Sequence, residues 1–251
     1  MRLVWRFVAS LLCTGLCLLA TSASADDAPL WLMGGGATPM SSHTTVRMDS
    51  EEVTIRLHKD SYTVDAVFHF FNTGDTTTEW VGFPKLGRGY SDMFTATQDF
   101  IRFETWVGDQ QVPFREEREL WSRVPIFLRS IFSYIVEDNR WLVKEVTFPG
   151  HSKITTRVKY EAHYVSSGEG KHVDYIYGTG TYWKDAIGKA TFTVDASEIG
   201  GRSGLRVKLS SECTPRVSGD SVTYEFSDLA PPPGAILEVF IPRSQPTIPR
   251  S

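Results

Sequence analysis

Val53-Thr54-Ile55-Arg56-Leu57-His58-Lys59-Asp60-Ser61-Tyr62-Thr63-Val64-Asp65-Ala66-Val67-Phe68-His69-Phe70 is the stretch on which the fold turns. Val53, Ile55 and Leu57 alternate with Thr54, Arg56 and His58. Tyr62, Val64, Ala66, Phe68 and Phe70 then repeat the pattern after Lys59-Asp60-Ser61. Side chains of an extended chain point to opposite faces in turn, so a period of two places one face on a core and the other in water. A short polar turn between two such runs reads as an antiparallel hairpin.

The same pattern recurs on both sides. Asn72-Thr73-Gly74-Asp75 is a turn, followed by a run from Thr76 to Phe83 that stops at Pro84. Ile101, Phe103, Thr105 and Val107 alternate with charged or indole neighbours. Ile154, Thr156, Val158, Tyr160 and Ala162 alternate with Thr155, Arg157, Lys159, Glu161 and His163. Shorter runs follow at Ala190/Phe192/Val194, Leu205/Val207/Leu209, Val222/Tyr224/Phe226 and Leu237/Val239/Ile241. About ten such segments separated by turns predict an all-β fold, an antiparallel β-sandwich of one large or two stacked units.

One stretch changes period. Between Glu116 and Asn139, residues Phe127, Leu128, Ile131, Phe132, Tyr134 and Ile135 fall on one arc of a helical wheel. Arg129, Ser130, Ser133 and Glu137 fall on the opposite arc, and Pro125 suits a first helical turn. The spacing predicts an inserted amphipathic helix near 116–138. Its apolar arc either packs on the sheet or docks a partner through Phe127, Ile131 and Ile135. With only Arg129 on the polar arc, attraction to anionic lipid is weak.

The ends of the chain carry other signals. Arg2 and Arg6 precede an apolar run from Phe7 to Ala20, and Ala23-Ser24-Ala25 supplies small residues at both positions a signal peptidase reads. Residues 1–25 are therefore expected to be a cleaved signal peptide, which makes the protein periplasmic or secreted. Removing 25 of 251 residues leaves 226, and losing two arginines moves the formal charge from −4 to −6. Cys13 and Cys17 leave with the signal. Cys213 stays alone, so no internal disulfide can staple the fold. Residues 26–42, with Gly34-Gly35-Gly36 and Pro39, read as a leader loop. Residues 43–242 read as the sandwich, with Pro231-Pro232-Pro233-Gly234 a stiff connector, and 243–251 as a flexible tail.

Composition excludes several classes. With 41% hydrophobic and 22% charged residues the chain is neither disordered nor polytopic. A net negative charge lacks the electrostatic footprint of a nucleic-acid binder. No further apolar run approaches the length of a membrane span. Gly201-Arg202-Ser203-Gly204 is one residue short of a nucleophile elbow, and Gly178-Thr179-Gly180 lacks the third glycine of a dinucleotide fingerprint. None of the six histidines has metal-ligand spacing, and Cys213 has only Arg216 nearby, which suits an inert thiol. Asp174, Asp185 and Asp195 could contribute to a carboxylate pair, but spacing alone does not choose among them. No catalytic residue, metal or cofactor is assigned.

The most unusual local sequence is Asp174-Tyr175-Ile176-Tyr177-Gly178-Thr179-Gly180-Thr181-Tyr182-Trp183. Flat rings among glycines suit a platform for sugars or peptides, which makes Tyr175, Tyr177, Tyr182 and Trp183 candidate ligand-binding residues. The other reading is that these rings plug one end of the sandwich while the glycines permit a tight bend.

The order of several blocks resembles a family of exported bacterial proteins built around a domain of unknown function. The blocks are Met48–Pro84, Phe103…Trp106-Val107-Gly108, Trp141…Phe148-Pro149 with Val158-Lys159-Tyr160, and Tyr175–Gly188 with its Tyr, Thr-Gly, Trp and Ile-Gly spacing. The resemblance implies export and a β-rich fold and brings no catalytic or ligand residues. The reading from sequence is an envelope β-sandwich acting as a non-enzymatic binding or structural module, with an envelope protein or glycan as its partner. The alternative is a carbohydrate-binding or carbohydrate-active protein that uses the 175–183 aromatics.

Overall fold

The computed structural model describes residues 33–35, 37–39, 45–86, 100–118, 139–232 and 234–243. These form β1 (Met33–Gly35), β2 (Thr38–Pro39), β3 (Val46–Leu57), β4 (Ser61–Asn72), β5 (Thr77–Leu86) and β6 (Phe100–Val107). Next come β7 (Gln110–Gln111), β8 (Arg115–Arg118), β9 (Asn139–Phe148), β10 (Lys153–His163), β11 (Val165–Ser166) and β12 (Gly170–Ile176). A 3-10 turn at Gly178–Tyr182 leads to β13 (Ile187–Asp195), and a second follows at Ser197–Ile199. The remaining strands are β14 (Arg206–Leu209), β15 (Arg216–Ser218), β16 (Ser221–Leu229) and β17 (Ile236–Pro242).

The opening hairpin is the spine. β3 and β4 pair antiparallel from Leu57↔Tyr62 to Val46↔Asn72, and the turn closes with the His58 amide donating to the Ser61 carbonyl at 2.9 Å. Val53, Ile55, Leu57, Tyr62, Val64, Ala66, Phe68 and Phe70 are all buried, as their period requires. The hairpin lies in a sheet ordered β15-β16-β13-β3-β4-β10-β6-β7. The opposing sheet runs β14-β17-β12-β1-β5-β9-β8, with β11 added to β12 and β2 to β5. The inner faces share one core: Phe70 of β4 meets Phe148 of β9 edge-on at 5.6 Å, and Tyr177 meets Phe192 of β13 at 5.1 Å. This is the expected β-sandwich, and burying rings of this size stabilises it by about 1.5–3 kcal/mol each.

Two neighbours depart from the antiparallel expectation. β13 lies parallel to β3, and β1 lies parallel to β12. Alternation fixes which face a residue takes but not the direction of a strand's neighbour, so sequence pattern could not show this. β1 also corrects the reading of 26–42 as a leader loop. Among the described strands it alone joins β12 to β5 and so ties the two parts of its sheet into one. A three-residue strand is too short to carry a period, and its Gly34-Gly35 composition reads as loop.

A bulge in β3 decides what enters the core. The β3–β4 register shifts between Met48 and Ser50. Before it Val46 and Met48 face inward; after it Glu51, Val53 and Ile55 do. One extra residue flips the phase of all that follows, and here it carries a carboxylate inside. Gly188 accommodates the bulge: a Cβ there would stand 2.6 Å from the Asp49 carbonyl oxygen.

The predicted helix near 116–138 is bounded by strands: Glu116–Arg118 belong to β8, paired with β9, and Asn139 begins β9. The sheet's backbone pairing overrides the helical period at those ends. Residues 119–138, with the candidate docking residues Phe127, Ile131 and Ile135, lie outside the described residues, as do residues 1–32 with the signal and Ala23-Ser24-Ala25, and residues 244–251. Among the described residues no helix is long and apolar enough to cross a membrane.

Candidate functional site

The aromatic stretch is core rather than platform at three of its four candidate positions. Tyr175, Tyr177 and Trp183 are buried, and only Tyr182, 56% exposed, reaches solvent. Each buried ring finds a partner for its polar atom. The Tyr175 hydroxyl donates to Glu51 Oε1 at 2.8 Å, and the Tyr177 hydroxyl donates to Ser211 Oγ at 3.0 Å. The Trp183 indole N–H donates to the Ala37 carbonyl at 2.8 Å. Trp183 packs on Phe70 at 4.4 Å and on Phe148 at 5.8 Å. The bend is possible because Gly178 abuts the 232–235 backbone, where a Cβ would stand 2.4 Å from the Ala235 nitrogen. A ring satisfied on all sides has no free face for a sugar, so Tyr175, Tyr177 and Trp183 are corrected to core residues.

A cleft of about 670 Å³ opens elsewhere, at one end of the sandwich. His58 and Lys59 come from the β3–β4 turn, and Glu198 and Ile199 from the 3-10 turn after β13. Ser166, Ser167, Gly170 and Lys171 come from the β11–β12 hairpin, and Ile241 to Arg243 from the end of β17. Both sheets therefore contribute. Tyr164 ties them together there, its hydroxyl donating to the His58 carbonyl at 2.7 Å.

The polar groups of the cleft are held in place. His58 Nδ1 lies 2.8 Å from Glu198 Oε2, and its Nε2 lies 3.2 Å from Thr63 Oγ1. An ionised carboxylate can only accept, so Nδ1 carries the proton and, in the neutral ring, Nε2 accepts from the Thr63 hydroxyl. Lys171 Nζ donates to the Lys59 carbonyl at 2.5 Å, lies 3.8 Å from Asp60 Oδ1, and sits 4.9 Å over the Tyr164 ring. Ser167 Oγ accepts from the Glu169 and Gly170 amides, each at 3.3 Å, and the Arg243 amide donates to the Glu169 carbonyl at 2.8 Å. Lys59 and Arg243 form no ion pair with a described residue. The lining thus carries Lys59, Lys171 and Arg243 against one carboxylate, Glu198, which His58 engages.

None of these residues stood out in sequence. His58 read as an outward strand residue, Lys59 as turn and Arg243 as tail. Four separate places in the chain supply the lining, and no spacing rule links them. A second, shallower trough of about 700 Å³ runs past Val207, Leu209, Cys213 and Tyr224. Cys213 is half-buried there, its Sγ donating to the Glu225 carbonyl at 3.4 Å.

Among the described residues Glu51, Asp174 and Lys144 are carboxyl or amine side chains buried away from the cleft. Burial pushes Glu51 up to about 8, partly offset by the Tyr175 hydrogen bond, and its second oxygen has no partner. Burial, with Glu238 directly opposite on β17, pushes Asp174 up to about 7. Burial pushes Lys144 down to about 7; its amine donates to the Thr105 hydroxyl and to the Trp106 carbonyl at 3.1 Å. Lys144 thus reaches from β9 of one sheet to β6 of the other. Among the described residues no three His, Cys, Asp or Glu side chains gather as a metal site.

No protein-family model and no curated protein sequence matches the chain. Among solved structures it is similar to a Legionella pneumophila protein provisionally described as nutrient binding. That match has a TM-score of 0.62 at 20% identity and covers 84% of this chain and 72% of that one. A two-domain M1 zinc metallopeptidase, bound to L-tryptophan, matches at a TM-score of 0.37 and 10% identity, over 79% of this chain and 43% of that one. The first likeness shows a shared fold; the second is too distant to carry an argument.

Proposed function

We propose that this protein is an exported module of the bacterial envelope that binds a small molecule in the cleft between its sheet ends. The observation that carries the reading is the cleft itself: a concavity of ligand size, built by both sheets, whose polar groups are already oriented by hydrogen bonds. The shared fold with a protein described as nutrient binding supports a binding role at the level of fold alone. The signal-like residues 1–25 support export. The glycan alternative loses most of its support, because Tyr182 is the one ring of its platform left exposed.

Two measurements test this reading. The N-terminus of the exported protein is expected at Asp26. A thermal-shift screen of that protein against mixed small metabolites is expected to give stabilising compounds whose effect disappears when Ser166, an exposed residue of the cleft wall, is replaced by tryptophan. A stabilising set indifferent to every cleft substitution would remove the site. Turnover of glycans, esters or peptides would replace a binding module with an enzyme.

A further inference from the structure

Resting on that binding reading, we propose that the cleft takes a small organic anion with an apolar body, its head held by Lys59, Lys171 and Arg243. The charge argument comes first. The chain as a whole is acidic, with 30 carboxylates against 26 basic side chains. The cleft has the opposite sign: three cations line it against Glu198 alone. Glu198 is engaged by His58, and Asp60, outside the lining, stands 3.8 Å from Lys171. Lys59 and Arg243 have no carboxylate partner among the described residues. Three cations lining one concavity, two of them without a carboxylate partner among the described residues, attract an anion and repel a cation.

The body of the ligand follows from the walls. Ile199, Ile241 and Pro242 line the cleft beside the cations, and Ile199 and Ile241 continue into the core. An inorganic anion would leave these surfaces in water, whereas an apolar chain would cover them. Ser166 and Ser167 add hydroxyls at the same wall. A carboxylate and a phosphate monoester share the required head, and lysine and arginine accept either.

The geometry also separates lysines that build from lysines that bind. Lys171 is tied to the Lys59 carbonyl and to the Tyr164 ring, so its loss would loosen the junction of the two sheets. Lys59 and Arg243 are tied only through their backbones, and their side chains can be reversed in charge without breaking a described contact.

The test is titration of the purified exported protein with octanoate and with octyl phosphate, followed by amide chemical shifts. Acetate, inorganic phosphate, octanol and octyltrimethylammonium serve as comparators. The expected result is saturable shifts in the 58–59, 166–171 and 198–199 segments with one or both octyl anions, weak or no response to the comparators, and weakening as salt rises. Lys59→Glu with Arg243→Glu should weaken the octyl anion at least about tenfold, as loss of charge-assisted bonds requires, with unchanged melting temperature. Ile199→Ser should weaken it while leaving the anion preference intact. Octanol or octyltrimethylammonium binding as tightly as the anions would overturn the anionic head and leave the binding reading standing. Inorganic phosphate or acetate binding as tightly would overturn the apolar body. No shift in the cleft with any octyl probe overturns this assignment. If the metabolite screen also leaves the cleft silent, the binding reading falls with it.

Discussion

The Tyr175–Trp183 stretch and the cleft beside His58 are opposites. The first is conspicuous in sequence, with four aromatics among two threonines and two glycines, and the fold uses it for packing. The second is ordinary in sequence, a turn, a hairpin and a tail, and the fold assembles it into a charged concavity. Aromatic rings concentrate where burial is most favourable, so a local cluster of them is first a statement about the core. A binding site needs groups that converge from different elements, and convergence leaves no local trace.

Substitutions can break this comparison. Trp183→Ala is expected to have the largest effect, removing a buried ring from between Phe70 and Phe148 at a cost of about 3–5 kcal/mol, read from the urea midpoint. A stable, folded Trp183→Ala protein would return that ring to the list of ligand residues.

The buried carboxylates give the next effect, and its sign is set. Glu51 in the folded protein keeps its proton up to about 8, while the unfolded chain releases it near 4.5. Stability from this group is therefore complete below 4.5 and falls as pH rises towards 8, by at most about 1.4 kcal/mol per pH unit. Asp174 acts in the same direction between 3.8 and about 7. Glu51→Gln should remove its own share of the decline between pH 5 and 7 and leave that of Asp174. An unchanged slope in denaturant melts would show that Glu51 is not buried as a neutral acid.

Lys144 works with the opposite sign. Its folded amine loses its proton above about 7 and the unfolded one near 10.5, so stability rises with pH across that window. Lys144→Met should flatten the alkaline limb, measured by thermal melts from pH 7 to 9.5. With the carboxylates this predicts a minimum in the contribution of the buried groups near neutrality.

The smallest effects are expected at the surface. Tyr182→Ala and Lys59→Glu should each change stability by less than about 0.5 kcal/mol. A large loss at Lys59 would mean that the cleft cations hold the fold together rather than await a ligand.

Much of the sandwich was legible in advance because its strands are amphipathic. Val53 to Phe70 could be read, turn included, since each strand carries enough residues to show a period. β1 could not, having three residues and two glycines. The parallel pairing of β13 with β3 was equally hidden, because strand direction depends on the path of the chain and not on the face a residue takes. Asp174 was noticed as one acid among several; its neighbour Glu238, 64 residues on, became relevant only through the register of β12 with β17. Glu51 lies ahead of the alternation that starts at Val53, and its inward face follows from the bulge at Asp49, which no period shows.

By itself the sequence determined the class of fold and the faces of its long strands, because periodicity and composition act locally along the chain. Only the tertiary structure decided that the aromatic stretch is core and that His58, Lys59, Lys171, Glu198 and Arg243 share a cleft. Burial and convergence depend on which distant residues the sheets bring together, and the two lysines alone stand 112 residues apart.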